Sequence, residues 1–355
     1  MKKITAAIIG YGGMGMGHHG IMKFQFPDEI EVKGCFDIDE ERCALARKYD
    51  IITYSSRQEL LEDEDIDFVV VATPNDVHKE IVIDALEHGK HVICEKPVAL
   101  SVDELKEMIE AANRNNRIFT VHQNRRWDPD YLLVKQIVED NTVSDVFNIE
   151  SRVHGSRGVP GDWRNIKKYG GGMILDWGIH LFDQVLHFFE DAKIVSVYAQ
   201  TSMITTDDVD DNFKVEFKLD NGVDYHVEVG TSNFVSLPRW YVQGKNGTAV
   251  IEDWENNGKV VMVEDWENKD AEPIRAGVGL TKTMAPRTDD SIKEFPLPEL
   301  KKEYCFKRSV LHENLIKAIK GEETQLVTHE QQIRLMKLIE AIFESAENNK
   351  VVYFE

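Results

Sequence analysis

Two kinds of hydrophobic periodicity divide the chain. In the first third, short continuous apolar runs at residues 3–9, 31–36, 66–72, 91–94 and 118–122 alternate with segments of helical periodicity. Continuous apolar runs are typical of strands buried on both faces of a parallel sheet. The alternation of such strands with helices predicts an N-terminal Rossmann-type domain over residues 1–123.

From about residue 144 onward, apolar and polar residues alternate within each strand, as expected when one face is solvated or lies in a polar interface. The most regular example is a predicted hairpin of residues 213–219 and 223–229. A three-residue loop with Gly222 in the left-handed conformation pairs apolar with apolar residues across it. The opposite face then pairs Lys218 with Asp224, Glu216 with His226, and Lys214 with Glu228.

The C-terminal part of the chain contains one long segment without clear periodicity. Residues 270–300 combine prolines and small polar residues, which predicts a lid, an arm or a disordered loop. Helices are predicted at about 303–320 and 328–347, and Thr328 with Gln331 resembles a capping box for the second.

Size and charge exclude several classes of protein. The 355 residues are enough for two domains with a large buried core. Lys and Arg number 42 against 63 Asp and Glu, and the net charge of -21 would repel nucleic acid and anionic membranes. No apolar segment is long enough to span a bilayer. Cys35, Cys43, Cys94 and Cys305 form no CxxC pair, so we expect a reducing cytoplasm and no disulfide framework.

The motif Gly10-Tyr11-Gly12-Gly13-Met14-Gly15 follows the first strand and opens a helix. In this context Gly10 permits the tight turn, Gly12 lets the backbone approach a pyrophosphate, and Gly15 allows close packing of the helix. Asp37 ends the next strand, where its carboxylate would bind the ribose 2'-hydroxyl and repel a 2'-phosphate. NAD is therefore favoured over NADP, although Arg42 keeps NADP possible.

Two more strand ends carry polar residues. Thr73, Pro74, Asn75 and His78 follow the third buried strand and are either a plain βα turn or cofactor contacts. Glu95-Lys96-Pro97 follows the next strand. Lys96 could donate a hydrogen bond to a substrate hydroxyl and stabilise charge on that oxygen, or it could be a solvated surface charge.

A predicted helix midway along the chain, beginning near Gly170, carries Asp176, His180 and Asp183 at positions i, i+4 and i+7. This spacing places the three side chains on one helical face, where burial perturbs pKa values as acid and base catalysis requires. Alternatively, His180 is a hydrogen-bonded core histidine and Asp176 a helix cap.

Taken together, G-x-G-x-x-G at 10–15, E-K-P at 95–97 and G-G-G-x-x-x-D-x-G-x-H-x-x-D at 170–183 resemble the Gfo/Idh/MocA family of oxidoreductases. The resemblance covers nearly the whole chain. It implies a Rossmann domain followed, over residues 124–355, by a substrate-binding and oligomerisation α/β domain with a large, mostly antiparallel open sheet. Such proteins commonly form dimers or tetramers.

The same resemblance implies an NAD(P)-dependent dehydrogenase acting on a secondary hydroxyl of a sugar, inositol or related polyol, or on the reverse reduction. His180 would be the general base, and Lys96 would polarise the substrate oxygen. Both Lys96 and Glu95 would also contact the cofactor. Asp176 would bind the substrate and tune the pKa of His180. Asp183 would be structural. A cyclic polyol is the first expectation, and the candidate substrate contacts are Asn124, Arg125, Trp127, Asp162, Trp163, Arg164 and Tyr169.

Three other functions stay open. Asp176, His180 and Asp183 could bind zinc or iron, but we expect no metal because Lys96 would repel the ion. Within the resembled family, the chain could instead be an NAD-dependent glycosidase or a non-catalytic regulator that binds dinucleotide. The intact Lys96, Asp176 and His180 argue against the regulator.

Overall fold

The computed structural model describes residues 2–189, 191–267 and 269–354. Its first part alternates strands and helices as the hydrophobic pattern predicts. The elements are β1 (Ile4–Ile9), α1 (Gly13–Gln25), β2 (Ile30–Phe36), α2 (Glu40–Arg47), β3 (Ile52–Thr53), α3 (Arg57–Glu62), β4 (Phe68–Val71), α4 (His78–Glu87), β5 (His91–Cys94), α5 (Val102–Asn115) and β6 (Phe119–Val121).

The strands of this part form one parallel sheet, six strands wide among the described residues, in the order β3-β2-β1-β4-β5-β6. All four residues of β4 are buried, which confirms that its continuous apolar run belongs in the middle of the sheet. The strand order reverses direction beside β1, and ligands bind at such a switch point, outside the carboxyl ends of the strands.

The second part of the chain begins with α6 (Pro129–Glu139) and β7 (Val146–His154), followed by a π-helical turn (Ile174–Gly178) that leads directly into α7 (Ile179–Leu186). The remaining elements are β8 (Ile194–Ser202), β9 (Asn212–Leu219), β10 (Asp224–Gly230), β11 (Trp240–Gly244), β12 (Gly247–Ile251), β13 (Gly258–Val263), β14 (Ile274–Ala276), β15 (Gly279–Thr281), β16 (Ile292–Pro296), α8 (Val310–Ile319), α9 (His329–Asn348) and β17 (Val352–Tyr353).

A large mixed sheet organises this second part. In the described chain it contains nine strands in the order β16-β13-β12-β11-β7-β10-β9-β8-β17, all antiparallel neighbours except β7 and β10. The predicted hairpin is confirmed, because Gly222 has a φ of 88° and Lys218 pairs with Asp224. The fold class of a Rossmann domain followed by a mostly antiparallel α/β domain is therefore confirmed.

Part of the segment 270–300 is more regular than the sequence indicates. Residues Ile274–Ala276 and Gly279–Thr281 form a small hairpin, and Ile292–Pro296 adds an edge strand to the large sheet beside β13. Pro296 is tolerated because it ends a strand that has a neighbour on one side only. Of the three expectations for this segment, a disordered loop does not describe these residues.

One C-terminal helix packs on the N-terminal sheet. Leu315 and Ile316 of α8 share a buried cluster with Ile8 and Phe26, on the sheet face that α1 also covers. The division at residues 123 and 124 remains a proposal, and α8 belongs by its packing to the first domain. Within the described ranges, no helix is long and apolar enough to cross a membrane.

Candidate active site

The glycine loop between β1 and α1 shapes one end of the main cavity. Gly10 has a φ of 90°, and a Cβ there would lie 2.5 Å from the Ala72 carbonyl oxygen. A Cβ on Gly15 would lie 2.0 Å from the Gly10 carbonyl oxygen. In contrast, a Cβ on Gly12 or Gly13 would meet nothing within 4 Å, so the helix N-terminus is left open for a phosphate group.

Asp37 lies at the end of β2 and lines the same cavity together with Arg42 and the exposed Met14. Its carboxylate accepts hydrogen bonds from the backbone N–H of Tyr11 at 2.6 Å and of Asp39 at 2.9 Å. These bonds fix the carboxylate where a ribose hydroxyl could donate to it. Together with the uncapped N-terminus of α1, this arrangement fits a dinucleotide.

Two predicted cofactor contacts do not line this cavity. The Tyr11 ring is fully buried, and its hydroxyl is 2.6 Å from Nδ1 of His19. His78 is also fully buried, with its ring nitrogens 2.9 Å from the carbonyl oxygens of Pro97 and Thr73. Their side chains form hydrogen bonds with buried polar groups and do not line the cavity.

The loop after β4 lines the cavity through Thr73, Pro74 and Asn75. Asn75 also joins the two domains, because its Nδ2 donates to the Gly170 carbonyl oxygen at 2.8 Å. This bond holds the start of the histidine-bearing segment against the end of β4.

Lys96 reaches that segment from the end of β5. Its Nζ donates to the Asp176 carbonyl oxygen at 2.9 Å and to the Asp176 carboxylate Oδ1 at 3.0 Å. An ammonium group has three N–H donors, so one donor remains for a ligand. The Lys96 side chain is 14% exposed and lines the cavity.

The segment carrying Asp176 and His180 is not a uniform α-helix. Asp176 lies in the π-helical turn and His180 in the first turn of α7, and π-turns occur frequently at functional sites. Asp183 does not share their environment, because its carboxylate forms a bidentate pair with Arg126 at 2.7 Å for both bonds. Asp183 does not line the cavity with Asp176 and His180, and a supporting role for Asp183 agrees with its pairing.

His180 is buried, with 6% of its surface exposed. Its Nδ1 is buried and meets no hydrogen-bond partner in the part of the chain that the structure describes. Burial, together with the positive charges of Lys96 and Arg125, holds the pKa of His180 well below its usual range. The imidazole is therefore neutral, and a neutral ring can accept a proton from a ligand.

The predicted substrate contacts fall into two groups. Asn124, Arg125, Asp162, Trp163 and Arg164 line the main cavity with Lys96, Asp176 and His180. Trp127 packs against the hydrophobic core, where its indole gains more from burial. Tyr169 does not line the cavity, and the Lys168 ammonium lies 5.6 Å from the centre of its ring.

The cavity has a volume of about 770 Å³ and runs from the glycine loop to His180.

A second cluster of polar side chains surrounds the Glu95 carboxylate, and the sequence did not predict it. Glu95 Oε1 is 2.9 Å from His18 Nε2 and 2.9 Å from His122 Nδ1. His18 Nδ1 is 2.9 Å from His312 Nε2, and His312 Nδ1 is 2.8 Å from the Ser309 hydroxyl. No sequence signal joins residues so far apart along the chain. We call these five residues the buried histidine centre.

Among the described residues, His18, His122 and His312 are the group whose ligand atoms, within 4.8 Å of one another, could hold a metal ion. However, both ring nitrogens of His18 and His312 already have hydrogen-bond partners. Burial lowers the pKa of His18 and of His312, while the two neighbouring histidines hold the pKa of Glu95 well below its usual range despite its burial. We therefore assign these side chains to support of the Glu95-Lys96 strand end.

Comparisons with known proteins agree with this architecture. A sequence profile described as "Oxidoreductase family, NAD-binding Rossmann fold" matches residues 4–123, and one described as "GFO/IDH/MocA C-terminal domain" matches residues 131–250. A solved NAD-binding protein from Listeria innocua is 44% identical, with a TM-score of 0.93 over 99% of this chain and 100% of that one.

Two curated relatives extend the comparison. The scyllo-inositol 2-dehydrogenase (NADP(+)) IolW of Bacillus subtilis is 24% identical over 99% of this chain and 96% of that protein. The uncharacterized oxidoreductase C115.03 of Schizosaccharomyces pombe is 32% identical over 61% of this chain and 60% of that protein. The chain thus spans about 60% of the length of this relative and of a second one from the same yeast.

Fold and matched profile together define the class of the NAD-binding Rossmann oxidoreductase family, here with a cavity that runs from the glycine loop to His180. Both matched profiles and the order of the glycine, E-K-P and histidine motifs agree on one assignment. The chain belongs to the Gfo/Idh/MocA family.

Proposed function

We propose that this protein is an NAD-dependent dehydrogenase that oxidises a secondary hydroxyl of a sugar, inositol or related polyol, or catalyses the reverse reduction. One observation carries the proposal: in the cavity that begins at the glycine loop, Lys96 is held on Asp176 with a spare N–H donor, and the neutral His180 has a buried Nδ1 without a hydrogen-bond partner among the described residues. The polyol dehydrogenase named among the relatives supports the substrate class.

In this proposal the glycine loop and Asp37 hold the dinucleotide, whose nicotinamide supplies the hydride acceptor when bound. The third N–H of Lys96 donates to the substrate oxygen and stabilises the negative charge that develops there. His180 takes the hydroxyl proton at Nε2, because Nδ1 is the buried ring nitrogen. Asp176 holds Lys96 in place through two acceptor atoms.

The choice of cofactor rests on Asp37. A carboxylate fixed by two backbone N–H groups offers an acceptor to a ribose hydroxyl and repels a 2'-phosphate. Arg42, which also lines the cavity, lies 3.9 Å from Asp39 and is partly neutralised by it. We therefore propose NAD, although the Bacillus relative is named for NADP(+).

We also propose a cytoplasmic homodimer or homotetramer. All four cysteines are free thiols in the structure, as a reducing compartment favours. The charged face of the β9–β10 hairpin pairs Lys218 with Asp224 at 2.7 Å, and such a self-complementary face suits a wet subunit interface. Light scattering on the purified protein measures the assembly.

The direct test is a screen for NADH and NADPH formation over inositols, aldoses and sugar acids, with a His180→Gln protein as the matched control. We expect the absorbance of NADH to increase when NAD and at least one of the polyols are supplied. We expect no increase with the variant. Release of nitrophenol from a nitrophenyl glycoside without net NADH would identify a glycosidase instead. Absence of both reactions in a protein that binds NADH would contradict the proposal.

A further inference from the structure

A second cavity of about 550 Å³ adjoins the main one. The two cavities share Arg125, Arg164, Asp176 and Trp177. The second cavity is completed by the loop after β7, the loop after β10 and Trp254 between β12 and β13. A ligand that reaches Asp176 and His180 can therefore continue into this space.

The second cavity is basic although the whole chain has a net charge of -21. Its lining contains the guanidinium groups of Arg125, Arg157 and Arg164 and a single carboxylate, that of Asp176. None of the glycine-loop residues lines it. The phosphates of a dinucleotide held at that loop therefore do not account for this concentration of positive charge.

The three arginines differ in how far their charges are already paired. Arg125 pairs with Asp128 at 2.8 Å, and Arg164 pairs with Asp162 at 2.8 Å. Arg157 is exposed, and across residues 2–189, 191–267 and 269–354 no carboxylate lies within ion-pair distance of it. An unpaired guanidinium at the edge of a cleft can form two parallel hydrogen bonds with a carboxylate or phosphate.

The walls of the second cavity suit a sugar ring beside that anion. The rings of Trp177 and Trp254 lie 5.9 Å apart, and the Arg125 guanidinium lies 4.3 Å from the Trp177 ring. The Thr231 hydroxyl is buried there without a hydrogen-bond partner in the described chain. Apolar aromatic surface with a few fixed polar groups is the usual composition of a small-molecule site.

We propose that the substrate extends from His180 into the second cavity and carries a carboxylate or phosphate there, bound by Arg157. This inference rests on the proposed dehydrogenase function and narrows it to acidic sugar derivatives, that is sugar acids or sugar phosphates. Arg157 is then a residue that determines specificity, while Lys96 and His180 act on the reacting carbon.

The test compares glucose, glucuronate and glucose 6-phosphate as substrates at equal concentration. We expect a higher kcat/KM for at least one of the two anionic sugars than for glucose, and the preferred one identifies carboxylate or phosphate. Arg157→Gln should lower the ratio of anionic to neutral kcat/KM roughly 10- to 100-fold, the value of a charged hydrogen-bonded pair. Arg275→Gln, an exposed cation outside both cavities, is the matched control and should leave the ratio unchanged.

Calorimetric binding of glucuronate and glucose 6-phosphate in the presence of NADH separates the two proposals. Binding that Arg157→Gln abolishes, without turnover by the unmodified protein, supports the subsite while the dehydrogenase proposal fails. Turnover of glucose that equals or exceeds that of both anionic sugars, with a ratio that Arg157→Gln does not change, overturns the subsite and leaves the dehydrogenase standing.

Discussion

The buried histidine centre and the cleft around His180 meet at the end of β5. They differ in whether their polar atoms already have hydrogen-bond partners. In the buried histidine centre, the carboxylate of Glu95 accepts from two imidazoles and the chain of hydrogen bonds ends at Ser309. In the cleft, His180 has a buried nitrogen without a partner in the described residues, and Lys96 keeps a spare donor. Paired groups give a rigid structure, whereas the spare donor of Lys96 is available to a ligand.

The hydrogen bonds of the buried centre fit one protonation state. Because Glu95 is ionised and can only accept, His18 donates from Nε2 and its Nδ1 must accept from His312 Nε2–H. His312 Nδ1 then accepts from the Ser309 hydroxyl. The hydrogen bonds of this network stabilise the fold, while the buried Nδ1 of His180, without a hydrogen-bond partner among the described residues, lowers stability.

The largest expected effect lies in the cleft and concerns rate. His180→Gln or Lys96→Met should lower kcat by about 10² to 10³, because each removes a group that acts on the reacting oxygen or its proton. Steady-state kinetics measures this, and NADH binding together with the free energy of unfolding serves as the control. Turnover within a few fold of the unmodified protein in both variants would contradict the role of the cleft.

The next effect concerns stability and compares two carboxylates. Glu95→Leu leaves two buried imidazole N–H groups without an acceptor and should lower the free energy of unfolding by about 3 kcal/mol. Asp176→Leu, at the partly exposed cleft, should cost about 1 kcal/mol. Denaturant unfolding measures both, and equal losses would show that the two centres do not differ as described.

An effect that is smaller for each residue should appear on acidification. The folded-state pKa values of His18, His312 and His180 lie below the unfolded value of 6.5, so the unfolded chain binds protons first as the pH falls. Their contribution to stability is complete above pH 6.5 and is lost below it, by up to about 1.4 kcal/mol per histidine and pH unit.

Unfolding free energies at pH 7.0 and 5.5 test this sign. His180→Gln should remove the part of the stability loss on acidification that His180 contributes. The parts contributed by His18 and His312 should remain. A stability that stays constant or rises on acidification would show that these histidines are already charged in the folded protein.

The smallest expected effect lies at the outer end of the buried centre. Ser309→Ala leaves Nδ1 of His312 without its hydroxyl donor and should cost about 1 kcal/mol of unfolding free energy. Because Ser309 lies outside both cavities, kcat and KM should not change. A loss of activity larger than the loss of stability would indicate that the centre takes part in catalysis.

Local sequence patterns predicted those features that depend on neighbouring residues. The glycine loop follows from backbone geometry around Gly10 and Gly15, and the hairpin at Gly222 follows from the period of two. Lys96 and His180 could be grouped through the family resemblance, since they are far apart along the chain. Helical spacing grouped Asp183 with Asp176 and His180, but spacing does not show which partner a side chain meets, and Asp183 pairs with Arg126 from a distant part of the chain.

The remainder of the site depends on contacts across the whole chain. His18 and His312 are 294 positions apart, and neither has a local signal that distinguishes it from an ordinary surface histidine. Trp254 enters the second cavity because β11 lies between β12 and β7 and pairs Trp240 with Ile251 on one side and with Ser151 on the other, so the β12–β13 loop lies at the same edge of the sheet as the end of β7. No periodicity along either segment encodes this proximity.

The packing of α8 on the first sheet has a consequence for protein synthesis. Leu315 and Ile316 complete the cluster around Phe26, so a nascent chain of 123 residues emerges from the ribosome with that apolar surface uncovered. We expect a fragment cut after residue 123 to aggregate, and one that also carries residues 310–319 on a linker to be soluble. The hydrophobic core of the nucleotide-binding domain is therefore complete only after α8 has been translated, and α8 follows β7 to β16 of the second domain in the chain.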